Sequence, residues 1–169
     1  MLVDPSQRNT RAVAGLRIAV GLLFLLFGEY KVTGRQFVLG GGFESWIQRF
    51  LDDRAAYPFM VPVLQGFVLP HARSIAFLVA FGEVTLGLSL VLGVLVRAAS
   101  ACGLAYMIAL LLSANYPGPD APLWAYFGAA LEHLVLALCF LAFMVGSPEA
   151  AWALGPVLGR RRTRGKAAA

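Results

Sequence analysis

Four stretches of roughly 20 mostly apolar residues, at 12–30, 74–96, 98–115 and 123–145, decide what this chain can fold into. Each is long enough to cross a bilayer as a helix. An unpaired backbone group in hydrocarbon costs several kcal/mol, and no barrel-like alternation is present, so helix is the form they must take. Composition agrees. Of 169 residues, 59% are hydrophobic and 14% charged, against about a quarter charged in an ordinary globular chain. Mean hydropathy is +0.74. A domain this small cannot bury so much apolar surface from water, which makes lipid its solvent. Two cysteines without a pairing motif exclude a disulfide-stapled scaffold. The first stretch (AVAGLRIAVGLLFLLFGEY) is too long for a cleavable signal, closes on Glu29, Tyr30 and Lys31, and has no small-residue cleavage site after it.

Charge placement orients the spans. Arg8, Arg11 and Arg17 precede or open the first, Arg97 lies between the second and third, and Arg160, Arg161, Arg162, Arg164 and Lys166 follow the fourth. The 116–122 connection has no basic residue and carries Asp120. Both termini therefore read as cytoplasmic, in a multi-pass membrane protein. The net charge of +5 and pI near 9.7 then reflect a basic tail touching anionic lipid, not a nucleic-acid arm. In the long outer connection, Phe43, Trp46, Ile47, Phe50 and Leu51 follow helical periodicity, with Glu44, Ser45, Gln48, Arg49 and Asp52 opposite. This predicts an amphipathic helix lying on the membrane surface. The run PFMVPVLQGFVLP, broken by Pro58, Pro62 and Pro70, predicts a second interfacial or shallow re-entrant piece. The expected fold is an all-α integral membrane four-helix bundle with short interfacial helices on its outer side. Residues 1–11 form a cytoplasmic segment, 12–146 the membrane domain with its cap at 32–73, and 147–169 a basic cytoplasmic tail.

Ionisable groups inside the spans call for partners or a purpose, since each costs at least ~2.5 kcal/mol on insertion scales. Arg17, Glu29, Glu83 and Glu132 are such groups, the last followed by His133. At about 1.5 Å rise per residue, Glu83 and Glu132 both fall about 13 Å below the outer boundary. Glu83 shares a face with Ala76, Ala80 and Gly87, and Glu132 with Ala125, Gly128, Ala129 and Cys139. Small residues mark the packed interior, so both carboxyls are expected to point inward and share one pocket. His133 lies about 100° further round, and Glu29 stands off the Arg17, Gly21, Phe24, Gly28 stripe.

Desolvation disfavours the charged form, which suits such carboxyls to proton exchange with a lipid-soluble quinone. Glu83, Glu132 and Glu29 are thus the candidate catalytic residues. His133, Asn115, Tyr106, Tyr126 and Arg73 are candidate ligand-binding residues, with Tyr116 a further hydrogen-bond source. The plainer alternative is that the carboxyls are protonated and bonded to neighbouring helices, fixing the packing. Arg17 reads as structural or snorkelling. Lys31, His71 and Arg73 read as solvated residues at the outer edge, or as binders of an anion or quinone head group. No CxxC, P-loop, GxGxxG or metal-ligand cluster is present, and two histidines supply no haem pair. Cys102 and Cys139 read as buried inert thiols. No metal or haem is expected, and any redox role needs a bound quinone or a partner subunit.

The run RIAVGLLFLLFGEYKVTG, and above all FGEVTLGLSLVLGVLVRAASACGLAYM, with Glu83, Gly87, Gly93 and Arg97 in a Glu-xxx-Gly…Gly…Arg pattern, resembles the DoxX-like family of DoxX/DoxD-type four-helix membrane proteins. The fourth span with Glu132 and the Trp46, Pro58, Pro70 layout are also similar, so the resemblance covers roughly residues 12–146. The segment MVGSPEAAWALGPVL departs from the Gly-rich, Ser-Leu-Asp-like ending of many relatives. The resemblance implies a membrane component of an oxidoreductase system, quinone-linked in its best-understood cases. The expected function is a quinone-associated membrane subunit working with a redox or respiratory partner protein, and is compatible with self-assembly. The alternatives are a non-catalytic anchor or accessory subunit of a larger respiratory or biogenesis complex and, third, a small proton-coupled transporter.

Overall fold

The computed structural model describes residues 5–128, 131–146 and 151–154; the tail arginines from Arg160 on and Lys166 lie outside them. The long helices are α1 (Pro5–Thr33), α5 (Ala72–Leu92) and α6 (Val96–Ala114). These three are long and apolar enough to cross a membrane. A shorter apolar helix, α8 (Leu131–Val145), follows the single turn α7 (Ala125–Gly128). Between α1 and α5 lie α2 (Arg35–Val38), α3 (Gly42–Asp52) and α4 (Val61–Val63), the last running into a π-helical turn at Leu64–Val68. No strand occurs among the described residues. The protein is an all-helical membrane protein.

Two antiparallel pairs organise the long helices: α1 packs chiefly on α5, and α6 on α8. Glycine sets the first contact. A Cβ on Gly21 would stand 3.0 Å from the Gly87 carbonyl oxygen, one on Gly87 2.8 Å from that of Gly21, and one on Gly28 2.8 Å from the Val84 nitrogen. The backbones therefore meet directly, as small residues allow in membrane helices where no hydrophobic force draws helices together. In the second pair a bulky side fits a notch instead. The buried ring of Phe140 occupies the space a Cβ on Gly103 would need, at 2.5 Å. Phe24 and Phe140, 5.4 Å apart and edge to face, join the two pairs.

The second apolar stretch ends earlier than its hydropathy predicts. Gly93, at φ +68°, closes α5 in the left-handed conformation, its amide bonded to the Ser89 carbonyl. Leu95 takes φ +53° just before α6 begins. A glycine cap of this kind needs no polar residue, so the apolar turn is invisible to hydropathy. Arg97 consequently sits in the first turn of α6 and not in the connection.

The connection after α1 folds as a cap on the first half of α5. Phe37, Phe43, Ile47, Ala56 and Leu64 pack with Ala72, Ala76 and Ala80. The amphipathic helix expected from the sequence is α3, with Phe43 and Ile47 buried and Trp46 exposed. Two backbone bonds, Tyr57 N–H to Leu112 O (2.9 Å) and Tyr116 N–H to Ala55 O (2.7 Å), stitch the cap to the end of α6.

Arg17 is structural. Its side chain is fully buried, at 0% exposure. Nη1 donates to Leu90 O (2.5 Å) near the end of α5, and Nη2 to Trp152 O (2.8 Å). The Leu90 carbonyl lies in the last turn of α5, where a helix exposes unmatched acceptors and partial negative charge. Leu154 N–H adds a bond to Leu92 O (2.9 Å), so the segment after α8 is fastened to the α1–α5 pair.

Gly21→Ile should destabilise the protein by about 1–3 kcal/mol, the usual range for overpacking. Gly82→Ala, where a Cβ meets nothing within 4 Å, should change stability by less than about 0.5 kcal/mol; equal losses on thermal unfolding in detergent would contradict this packing. Arg17→Lys, lacking the planar fork, should deprotect the Leu154 amide in hydrogen exchange.

Candidate functional site

On α1 the buried positions Ala14, Arg17, Gly21, Phe24, Gly28 and Lys31 recur every three or four residues, forming one face. On α5 the matching face is Ala72, Ala76, Ala80, Glu83, Gly87 and Leu90. Docking these faces through Gly28 and Gly87 brings Lys31 onto Glu83. Lys31 Nζ donates to Glu83 Oε1 at 2.5 Å, with Lys31 8% and Glu83 5% exposed. From the other helix pair, Tyr106 Oη on α6 donates to the same Oε1 at 2.7 Å. Phe37 of α2 covers the ammonium, its ring centroid 5.2 Å from Nζ, a cation–π contact that strengthens with desolvation.

This triad lies at the junction of two apolar clusters. On α5, Ala80 belongs to the cap cluster and Leu86 to the bundle core, with Glu83 between them. On α1, Phe24 belongs to the core, and beyond Lys31 Phe37 of α2 belongs to the cap. One atom of the triad is unmatched. Glu83 Oε2 is buried with no hydrogen-bond partner among the described residues. A buried acceptor left bare carries a desolvation cost of about 1–3 kcal/mol or more.

A second polar group gathers near the 115–126 connection. His133 Nδ1 lies 2.9 Å from Asn115 Oδ1, the tautomer with a proton on Nδ1 donating. Tyr126 Oη donates to Gly118 O at 2.8 Å. The rings of Tyr57 and Tyr116 are 4.9 Å apart, with Tyr126 6.4 Å from each. Burial, with smaller contributions from Tyr126 and Tyr116, pushes the Tyr57 hydroxyl above its usual range.

The expected shared pocket of Glu83 and Glu132 does not form. Glu132 is 79% exposed in its side chain, with Oε1 3.9 Å from His133 Nδ1. The buried face of α8 is Ala137, Phe140 and Phe143. His133 precedes Ala137 by four residues and Phe140 by seven, so it, and not Glu132, turns toward the packed side. Of the face expected for Glu132, Ala129 lies outside the described residues. Glu29, Arg73 and His71 are exposed. Lys31, expected at the solvated edge, is buried in the ion pair. Its signal was present: Lys31 follows Gly28 by three residues and completes the Arg17–Gly21–Phe24–Gly28 stripe. The expectation of two buried thiols is also corrected, for Cys102 is exposed and Cys139 half-buried. No group of three His, Cys, Asp or Glu side chains suited to a metal occurs among the described residues. An open cavity of about 530 Å³ lies along the polar face of α3, lined by Glu44, Gln48, Arg49 and Asp52 among others, and includes no triad residue.

Breaking a buried ion pair from one side leaves a bare charge and costs about 3–5 kcal/mol, whereas neutralising both sides is often tolerated. Lys31→Met alone should therefore lower stability by roughly that amount. The double variant Lys31→Met with Glu83→Gln should recover most of the loss. Denaturant unfolding in micelles measures both, and equal losses would contradict a paired charge.

No curated protein and no solved structure matches the chain. The family model of DoxX matches residues 12–116, from within α1 to just past α6, and stops short of α8, a shorter span than the 12–146 of the sequence resemblance. With more than half of its length so matched, including every residue of the Lys31–Glu83–Tyr106 triad, the chain belongs to the DoxX family.

Proposed function

We propose that this protein is the membrane subunit of a quinone-linked oxidoreductase in the bacterial inner membrane, with Glu83 as the group that exchanges protons. The observation that carries the reading is the bare Oε2 of a carboxylate otherwise held by Lys31 and Tyr106. A charged group kept inside a membrane bundle is costly, and such groups mark proton and substrate pathways. Membership of the DoxX family supports a membrane setting for that chemistry.

The residues present fit a proton-exchanging head group in one specific respect: Oε2 is a buried acceptor with no partner among the described residues. A bound quinone supplies two-electron chemistry coupled to two protons. Lys31 and Tyr106 both donate to Oε1 and fix the orientation of the carboxyl group, which leaves Oε2 to take or return a proton. The chemistry rests on Glu83 and not on Glu29 or Glu132, whose carboxyls face out of the packed helices. In this reading α8 and the residues before it make the fourth span, both termini are cytoplasmic, and α2–α4 lie at the outer membrane surface. The basic tail meets anionic lipid, and a redox partner protein supplies or receives electrons.

The second reading is that the ion pair is packing glue in an accessory subunit, which its bridging of α1 and α5 favours. Glu83→Gln separates the two in membranes of cells lacking the native chain. The redox reading predicts that quinone-dependent electron flow falls about 10²-fold or more, the range for a lost general acid–base group, with the chain and its complex still assembled. Lost assembly with undiminished turnover per remaining complex would establish glue instead.

A further inference from the structure

The hydrogen-bond polarity of the triad has a consequence for what can bind there. Lys31 Nζ is directed at Glu83 Oε1 and lies under the Phe37 ring. The Tyr106 hydroxyl spends its proton on that same Oε1. What the triad has left is an acceptor, Glu83 Oε2, removed from solvent and without a partner among the described residues. An ionised carboxylate accepts and cannot donate. A ligand presenting only carbonyl oxygens would place acceptor against acceptor, whereas one presenting an O–H would satisfy the bare atom.

The position of the triad supplies the route. Lys31 and Glu83 belong to the α1–α5 pair and Tyr106 to the α6–α8 pair, so Oε1 is shared across the seam between the pairs. The two pairs are closely packed within themselves and meet more sparsely at α5–α6. That seam, and not either glycine-tight interface, is the side from which a lipid-soluble ring would approach Glu83.

We propose that the site at Glu83 selects hydroxyl-bearing aromatic ligands, so that it binds the reduced, hydroquinone form of a quinone couple in preference to the oxidised form. The inference rests on the functional reading above, and goes beyond it in naming which redox form the site recognises. Charge-assisted hydrogen bonds contribute more than neutral ones, and losing one at a buried carboxylate corresponds to about a tenfold or greater loss of affinity.

The test is anaerobic binding to the full chain in detergent or nanodiscs, using decylubiquinol, decylubiquinone, a long-chain alkylphenol and the methyl ether of that phenol. The quinol should bind about tenfold or more tightly than the quinone, and the phenol should displace it where its methyl ether does not. Glu83→Gln, whose amide both donates and accepts, should erase the preference. Should that variant fail to fold, Lys31→Met with Glu83→Gln replaces the same carboxylate by an amide while keeping the pair neutral. Quinone binding as well as quinol, or an ether competing as well as its parent phenol, overturns the selectivity but leaves a quinone site standing. Failure of all four compounds to bind overturns both.

Discussion

A carboxylate and an ammonium that are both shut away from water must find one another, and that requirement shapes the centre of this molecule. The desolvation cost of each ion exceeds what any single neutral contact returns. Lys31 near the end of α1 is therefore brought to the middle of α5, and the depth of one helix against the other follows. The pair also divides the apolar interior. Below it Phe24, Leu86, Leu90, Phe140 and Phe143 form the bundle core, and above it Phe37, Phe43, Ile47 and Leu64 form the cap. Tyr106 extends the polar layer to the second helix pair, so one carboxylate oxygen ties together three helices.

The glycines make this arrangement affordable. With α1 and α5 in direct backbone contact at Gly21, Gly28 and Gly87, Lys31 can reach Glu83 with its stem against apolar neighbours and its head under Phe37. A pair of helices held further apart by larger side chains would leave room for lipid or water at that point. The same contact gives the seam its contrast: tight inside the α1–α5 pair, and bridged across to α6 by a hydrogen bond.

Much of this was readable from residue order. The apolar stretches, the amphipathic helix at Phe43–Asp52 and the inward face of Glu83 follow from period and small-residue spacing alone. For Arg17 residue order leaves a structural and a snorkelling role open, and its acceptors, carbonyls at distant positions, decide for the first. What the pattern failed to give has physical causes. Small-residue spacing points Glu132 inward, whereas α8 buries phenylalanines, Phe140 in the notch at Gly103, and leaves Glu132 outside. Lys31 was assigned to water because it ends a span, although its spacing from Gly28 puts it on the buried stripe. The turn at Gly93 and Leu95 is apolar, and backbone conformation leaves no mark on hydropathy. The short helix α2, bracketed by glycines, has too few residues for any period to show.

The bond from Arg17 to Trp152 spans 135 residues of chain. At the usual pace of synthesis, the carbonyl that this guanidinium will hold is made on the order of ten seconds after the arginine itself has left the ribosome. The Leu90 carbonyl arrives sooner, 73 residues along. During that interval the opening helix carries a cation whose native acceptors do not yet exist, and the membrane edge is the place where water can serve in their stead. Final seating of the first helix thus waits on carbonyls made 73 and 135 residues later, so that a late segment locks an early one.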